Sequence, residues 1–171
     1  WEARLAKAGI TGFAVAFAWL RDHLSGEPIS TPAAVHLDYH PHNVLVRDDG
    51  AAFVIDWTNA TVSDYRLDLG WTWMLLESHA GREISQHLLT AYERLAGHKV
   101  EAMPLFEVAA CLRRLGTIVV ALMKGPAELG MRAGAEGLIS DYGHISRVYE
   151  LLQERADVAI SDVEDLIARL T

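Results

Sequence analysis

Eight residues, H-L-D-Y-H-P-H-N from His36 to Asn43, and a later segment, V-I-D-W from Val54 to Trp57, hold the side chains best suited to chemistry. Phosphoryl transfer asks little covalent work of a protein. It needs a carboxylate that orients or deprotonates a hydroxyl, and oxygen ligands that hold Mg²⁺ against nucleotide phosphates. Asp38 can supply the first, and Asn43 and Asp56 the second. Mg²⁺ prefers hard oxygens in a near-octahedral shell and keeps several waters, so one amide oxygen, one carboxylate and the phosphates suffice.

These residues act together only if the chain between them folds back on itself. Val44 to Val46 is a short β-branched run, D-D-G at Asp48 to Gly50 signals a turn, and Ala52 to Ile55 is a second apolar run. The pattern predicts a β-hairpin. A tight loop then presents Asp38 and Asn43 from its two ends, and the hairpin returns Asp56 beside Asn43.

Other readings of the same residues exist. Asp and Asn cap turns without any catalytic purpose. His36, Asp38, His40 and His42 alternate, and on an extended strand all four would face one way, like the metal cluster of a hydrolase. Pro41 breaks such a strand, and no second His or Cys group follows at ligand spacing. His36 reads as structural, its ring bonded to loop backbone or a carboxylate. His40 and His42 then become loop residues near the cleft.

The surrounding pattern is helical. Apolar spacing predicts helices over Glu2 to Leu24, Leu67 to Ser78, Glu83 to Leu95, Leu105 to Lys124, Leu138 to Gln153 and Asp162 to Leu170. Gly97 is placed to end the third of these, and Ser161 with Glu164 has the spacing of a capping box at the start of the last. Leu105 to Lys124 is apolar on nearly every face and should be buried. Trp71, Trp73 and Met74 read as core. Ile29 to Thr31 and the glycine-rich stretch Gly125 to Gly137 read as loops. Glu128, Glu136 and Asp141 read as solvated surface, with a role in binding amines as the alternative.

The totals narrow the class further. The 171 residues carry 15 basic and 23 acidic side chains, a formal charge of -8, which argues against a nucleic-acid-binding surface and is compatible with a cationic substrate. Cys111 is the only cysteine, so no intramolecular disulfide forms; it reads as core packing and fits a reducing, cytoplasmic setting. The densest apolar runs, Phe13 to Leu20 and Leu115 to Met123, are about half the length that a membrane span requires. The chain opens on Trp1 and goes straight into a helical pattern, as expected of a sequence that starts inside a larger protein.

The motif H-x-D-x-x-x-x-N followed by I-D-W resembles the aminoglycoside phosphotransferase and choline kinase-like branch of the protein-kinase fold. The resemblance implies that Asp38 is the catalytic carboxylate, that Asn43 and Asp56 ligate Mg²⁺, and that ATP is the co-substrate. D-Y-R-L-D-L at Asp64 to Leu69 resembles the family's D-x-x-x-D-L segment, which implies that Asp68 anchors the loop through hydrogen bonds, with His36 supporting. One departure stands out: Leu37 occupies the place where the family usually has glycine, so the backbone there lacks glycine's freedom. The family's nucleotide-binding lobe lies upstream of where this sequence starts.

The expected fold is therefore mostly α with a small β-hairpin, the C-terminal helical lobe of a protein-kinase-like α+β fold. It reads as one lobe over 1–171, with the catalytic loop and metal-binding hairpin at 35–57 and a helical subdomain at 66–171. The expected function is ATP- and Mg²⁺-dependent transfer of the γ-phosphate to a hydroxyl of a small molecule resembling an aminoglycoside, choline or homoserine, inactive without the N-terminal lobe in cis. The rival class is a non-catalytic kinase-like binding module.

Overall fold

The amino-terminal helical pattern breaks at Gly9. Its φ of +74° is a left-handed conformation that costs a side-chain-bearing residue energy and glycine little. The N–H of Gly9 bonds the carbonyl of Ala6, and the N–H of Ile10 bonds that of Leu5, both at 3.0 Å. This is a Schellman stop, in which the flanking apolar residues Leu5 and Ile10 are both buried. The single helix expected over Glu2 to Leu24 is consequently two, α1 (Glu2–Lys7) and α2 (Ala14–Leu24).

The computed structural model describes residues 1–28, 32–129 and 142–170. The chain forms two compact units, one of Trp1–Gly26 with Val108–Thr171, the other of Glu27–Glu107. The first unit holds α1, α2, most of α5 (Met103–Lys124), α6 (Tyr142–Ala156) and α7 (Ser161–Leu170). As its composition predicts, α5 is largely buried: Leu112, Leu115, Ile118 and Val119 are wholly inaccessible, and so are Ile145 and Leu152 on α6. Cys111 is buried among the core residues.

The end of α6 and the start of α7 are joined by polar contacts. The Tyr149 hydroxyl donates to Glu164 Oε1 at 2.9 Å and accepts from the Ile160 N–H at 3.0 Å. Ser161 is the first helical residue of α7, and Glu164 answers Tyr149, so the capping box expected from their spacing gives way to a tertiary bond. Gly12 donates its N–H to Asp162 Oδ2 at 2.7 Å, and a Cβ on Gly12 would lie 2.5 Å from Ser161 Oγ. A side chain at Gly12 would force Ser161 and Asp162 to shift.

In the second unit, β2 (Val44–Val46) and β3 (Ala52–Val54) form the expected hairpin, with Val44 opposite Val54 and Leu45 opposite Phe53. A second antiparallel pair, β1 (Ala33–Val35) with β4 (Thr61–Ser63), brings the start of the motif loop beside the chain that leaves the hairpin. The single two-stranded insert of the sequence reading is therefore two small sheets. Helices α3 (Arg66–Ala80) and α4 (Arg82–Ala96) follow, and α4 ends at Gly97 as expected. The segment Ile29 to Thr31 and most of Gly125 to Gly137 lie outside the described residues, apart from a 3₁₀ turn at Pro126–Leu129.

Arg66 secures the start of α3. Its guanidinium pairs with both oxygens of Asp64, at 3.0 and 2.7 Å, and donates to the carbonyls of Pro28 and Glu101. It also lies 4.4 Å from the centre of the Phe106 ring. The Asp64 carboxylate raises the guanidinium pKa further, so this buried cation stays charged.

Glu77 joins α3 to α4. It is 2 % exposed, and it accepts from Trp73 Nε1 at 2.6 Å, Arg82 Nε at 2.9 Å and Ser85 Oγ at 3.0 Å. Trp73, expected in the core with Trp71 and Met74, is instead half-buried because its indole N–H is turned to this carboxylate. Burial pushes the Glu77 carboxyl up, but the three donors outweigh it and hold it below the ordinary 4.5. With the folded value depressed, the stabilisation is fully present above about pH 4.5 and is lost as pH falls through the folded value. Glu77→Leu should cost about 2 kcal/mol in urea unfolding at pH 7. Glu77→Gln should flatten the acid limb of the stability profile.

No helix among the described residues is long and apolar enough to cross a membrane.

Candidate active site

The site lies wholly within the second unit, where β1 delivers the chain to a buried histidine. His36 is 1 % exposed, and its Nε2 lies 2.8 Å from the Ile55 carbonyl. A carbonyl only accepts, so Nε2 carries the hydrogen and Nδ1 is free to accept the N–H of Asp38 at 3.2 Å. The ring also rests 4.8 Å from that of Trp57. His36 thus ties the motif loop to the end of the hairpin as a neutral ring.

Asp68, in the first turn of α3, holds the same loop from the other side. Its Oδ2 accepts the His36 N–H and its Oδ1 the Leu37 N–H, each at 2.7 Å. Leu37 has a φ of +61°, the left-handed conformation for which glycine is suited. The loop thus makes a left-handed turn with a residue that strains to make it. Leu37→Gly should hold or raise the melting temperature, whereas Leu37→Val, β-branched in the same conformation, should cost about 1 kcal/mol more than the glycine variant by thermal unfolding.

Asp38 follows with its carboxylate partly open to solvent, its side chain 30 % exposed. Its carbonyl accepts from Asn43 Nδ2 at 3.0 Å. The neighbouring Tyr39 carbonyl accepts from the Thr72 hydroxyl of α3 at 2.7 Å, which fixes the middle of the loop. A 3₁₀ turn over Pro41–Asn43 then closes with the Asn43 N–H on the His40 carbonyl at 2.9 Å. Asn43 is buried; because its nitrogen faces an acceptor, its Oδ1 is the atom left available to a cation.

The hairpin register brings Asp56 back to this point. The Ile55 N–H bonds the Asn43 carbonyl at 2.9 Å, so Asp56 is the next residue after Asn43's cross-strand partner. Asp56 is exposed and left-handed, with φ 62° and ψ 56°, and its Oδ1 accepts from the Thr58 hydroxyl. One amide oxygen and one carboxylate therefore stand at one end of the hairpin. That donor set fits Mg²⁺, which takes one or two protein oxygens and completes its shell with phosphates and water.

The hydrolase-like cluster fares worse. Among the described residues no three His, Cys, Asp or Glu side chains gather closely enough to hold a metal ion. The His36 ring is turned to Ile55, and the His40 and His42 rings are 5.8 Å apart and steeply inclined.

A model of the phosphotransferase enzyme family, APH, matches residues 2–135 of the sequence. The chain belongs to this family. No curated protein and no solved structure matches it. The matched span takes in the whole motif loop, the hairpin and Asp68 of this phosphotransferase. The sequence pattern does not single out Thr72, and it places His40 only as a loop residue near the cleft, whereas the His40 ring lies 3.3 Å from Asn43 Nδ2. Neither has a signal in the pattern, since a threonine inside a helix and a histidine beside proline are ordinary. Of the acidic residues considered for substrate amines, Glu128 is exposed, while Glu136 and Asp141 lie outside the described residues.

Proposed function

We propose that the intact protein transfers the γ-phosphate of ATP to a hydroxyl of a small, hydroxylated and cationic acceptor, one that resembles an aminoglycoside, choline or homoserine. The observation that carries this reading is the bond from Asn43 Nδ2 to the Asp38 carbonyl, which joins the acid residue and the amide ligand in one rigid loop. Asp38 hydrogen-bonds the acceptor hydroxyl, orients its oxygen toward the phosphate and takes its proton late. Asn43 Oδ1 and the Asp56 carboxylate would hold Mg²⁺, which when bound neutralises charge on the nucleotide phosphates. Asp68 and His36 keep the loop in place through its backbone and touch no substrate. The formal charge of -8 favours a cationic acceptor over an anionic one.

The test is ADP formation by the intact protein against a panel of hydroxylated amines and sugars, with and without Mg²⁺. Release of ADP that depends on both the metal and one acceptor class supports the reading. Nucleotide binding without transfer to any acceptor would favour a non-catalytic binding module instead.

A further inference from the structure

We infer that His40 is a positioning residue, whose ring acts with the Asp38 carbonyl to hold the Asn43 amide with its oxygen rather than its nitrogen presented to the cation; the inference rests on the phosphotransferase reading above. Asn43 has two amide hydrogens. One is directed at the Asp38 carbonyl, 3.0 Å from Nδ2, and the other at His40 Nε2, 3.3 Å away. A ring nitrogen that accepts carries no hydrogen, so the neutral ring holds its proton on Nδ1. Turning the amide over would set Oδ1 against the Asp38 carbonyl, which can only accept, and would remove the hydrogen that Nδ2 directs at the ring. The ring, as acceptor of the second amide hydrogen, adds to the Asp38 carbonyl's hold on the orientation that presents Oδ1 to the cation.

The placement of His40 is itself well determined. Pro41 confines the preceding residue to extended backbone, and His40 has φ -153° and ψ 164°. Its carbonyl accepts the Asn43 N–H at 2.9 Å, so it holds Asn43 by main chain and side chain together. Nδ1 is buried with no hydrogen-bond partner among the described residues, so a proton held there carries a burial cost that the Nε2 bond to Asn43 must offset. Nε2 lies 3.8 Å from Asp38 Oδ2, beyond a hydrogen bond, so the ring grips the amide and leaves the carboxylate open to substrate.

Two readouts on the intact protein test this. With ¹⁵N-labelled histidine, NMR of the metal-free protein should show His40 protonated at Nδ1 and bare at Nε2. Binding of Mn²⁺ in the presence of ADP should weaken about tenfold to a hundredfold in His40→Ala and stay within about threefold of the parent in His40→Gln, whose side-chain oxygen can accept the same amide hydrogen. The acceptor KM should not move in either. A proton found on Nε2, or Mn²⁺ binding by His40→Ala as tight as the parent's, overturns the inference while leaving the phosphotransferase reading intact. A parent protein that binds no Mn²⁺ with ADP overturns both. If His40→Ala fails to fold, His40→Gln and the tautomer decide.

Discussion

Replacing Asp38 with Asn in the intact phosphotransferase is expected to lower kcat by about 10³-fold, within the range for losing a positioned base. The fold should not follow. Asp38 holds the loop through its N–H on His36 Nδ1 and its carbonyl under Asn43 Nδ2, and both are main-chain atoms that the substitution leaves alone. Its carboxylate is partly open and stands 3.8 Å from His40, too far to be a structural bond. Steady-state ADP release with the preferred acceptor, read beside a melting curve, separates the two effects. Activity near the parent's would remove Asp38 from the chemistry.

Asp68→Ala is expected to damage both stability and rate, because this carboxylate holds the backbone that carries Asp38. Two part-buried N–H groups, those of His36 and Leu37, lose their acceptors. At about 1–3 kcal/mol for each orphaned donor, partly relieved by water, the loss in denaturant unfolding should be about 3 kcal/mol. Leu37 has further reason to move once released, since its left-handed backbone is strained. The loop should relax and displace Asp38 by enough to cut kcat at least about 10²-fold. Amide exchange at His36 and Leu37 should accelerate in the same variant. Asp68→Asn, which keeps one acceptor oxygen, should fall between the two.

Much of the local arrangement around the candidate site was legible because its logic is local. The interval from Asp38 to Asn43, the D-D-G turn and the apolar runs on either side of it fix a loop and a hairpin, and the register then brings Asp56 to Asn43 without help from distant sequence. The fold was harder where the controlling contact is remote. Strands β1 and β4 have three residues each and pair across the whole motif, too short to show the two-residue alternation by which strands are recognised. Gly9 stops a helix inside an alanine-rich run that otherwise continues the helical pattern. Glu164 has the spacing of a cap, and the tertiary partner that claims it, Tyr149, lies on another helix. Glu77 looks like a surface residue of a helix until Trp73, Arg82 and Ser85 are seen around it. Departure from glycine at Leu37 was visible; that the chain bears the strain and keeps the turn was not.

The most direct measurement is the location of a divalent ion in the intact protein, by anomalous scattering from Mn²⁺ bound with a non-hydrolysable ATP analogue. The expected result is an ion coordinated by Asn43 Oδ1 and the Asp56 carboxylate, with the Asp38 carboxylate facing the terminal phosphate. An ion held elsewhere, or an Asn43 amide that turns its nitrogen to the nucleotide, would contradict a shared phosphoryl-transfer site.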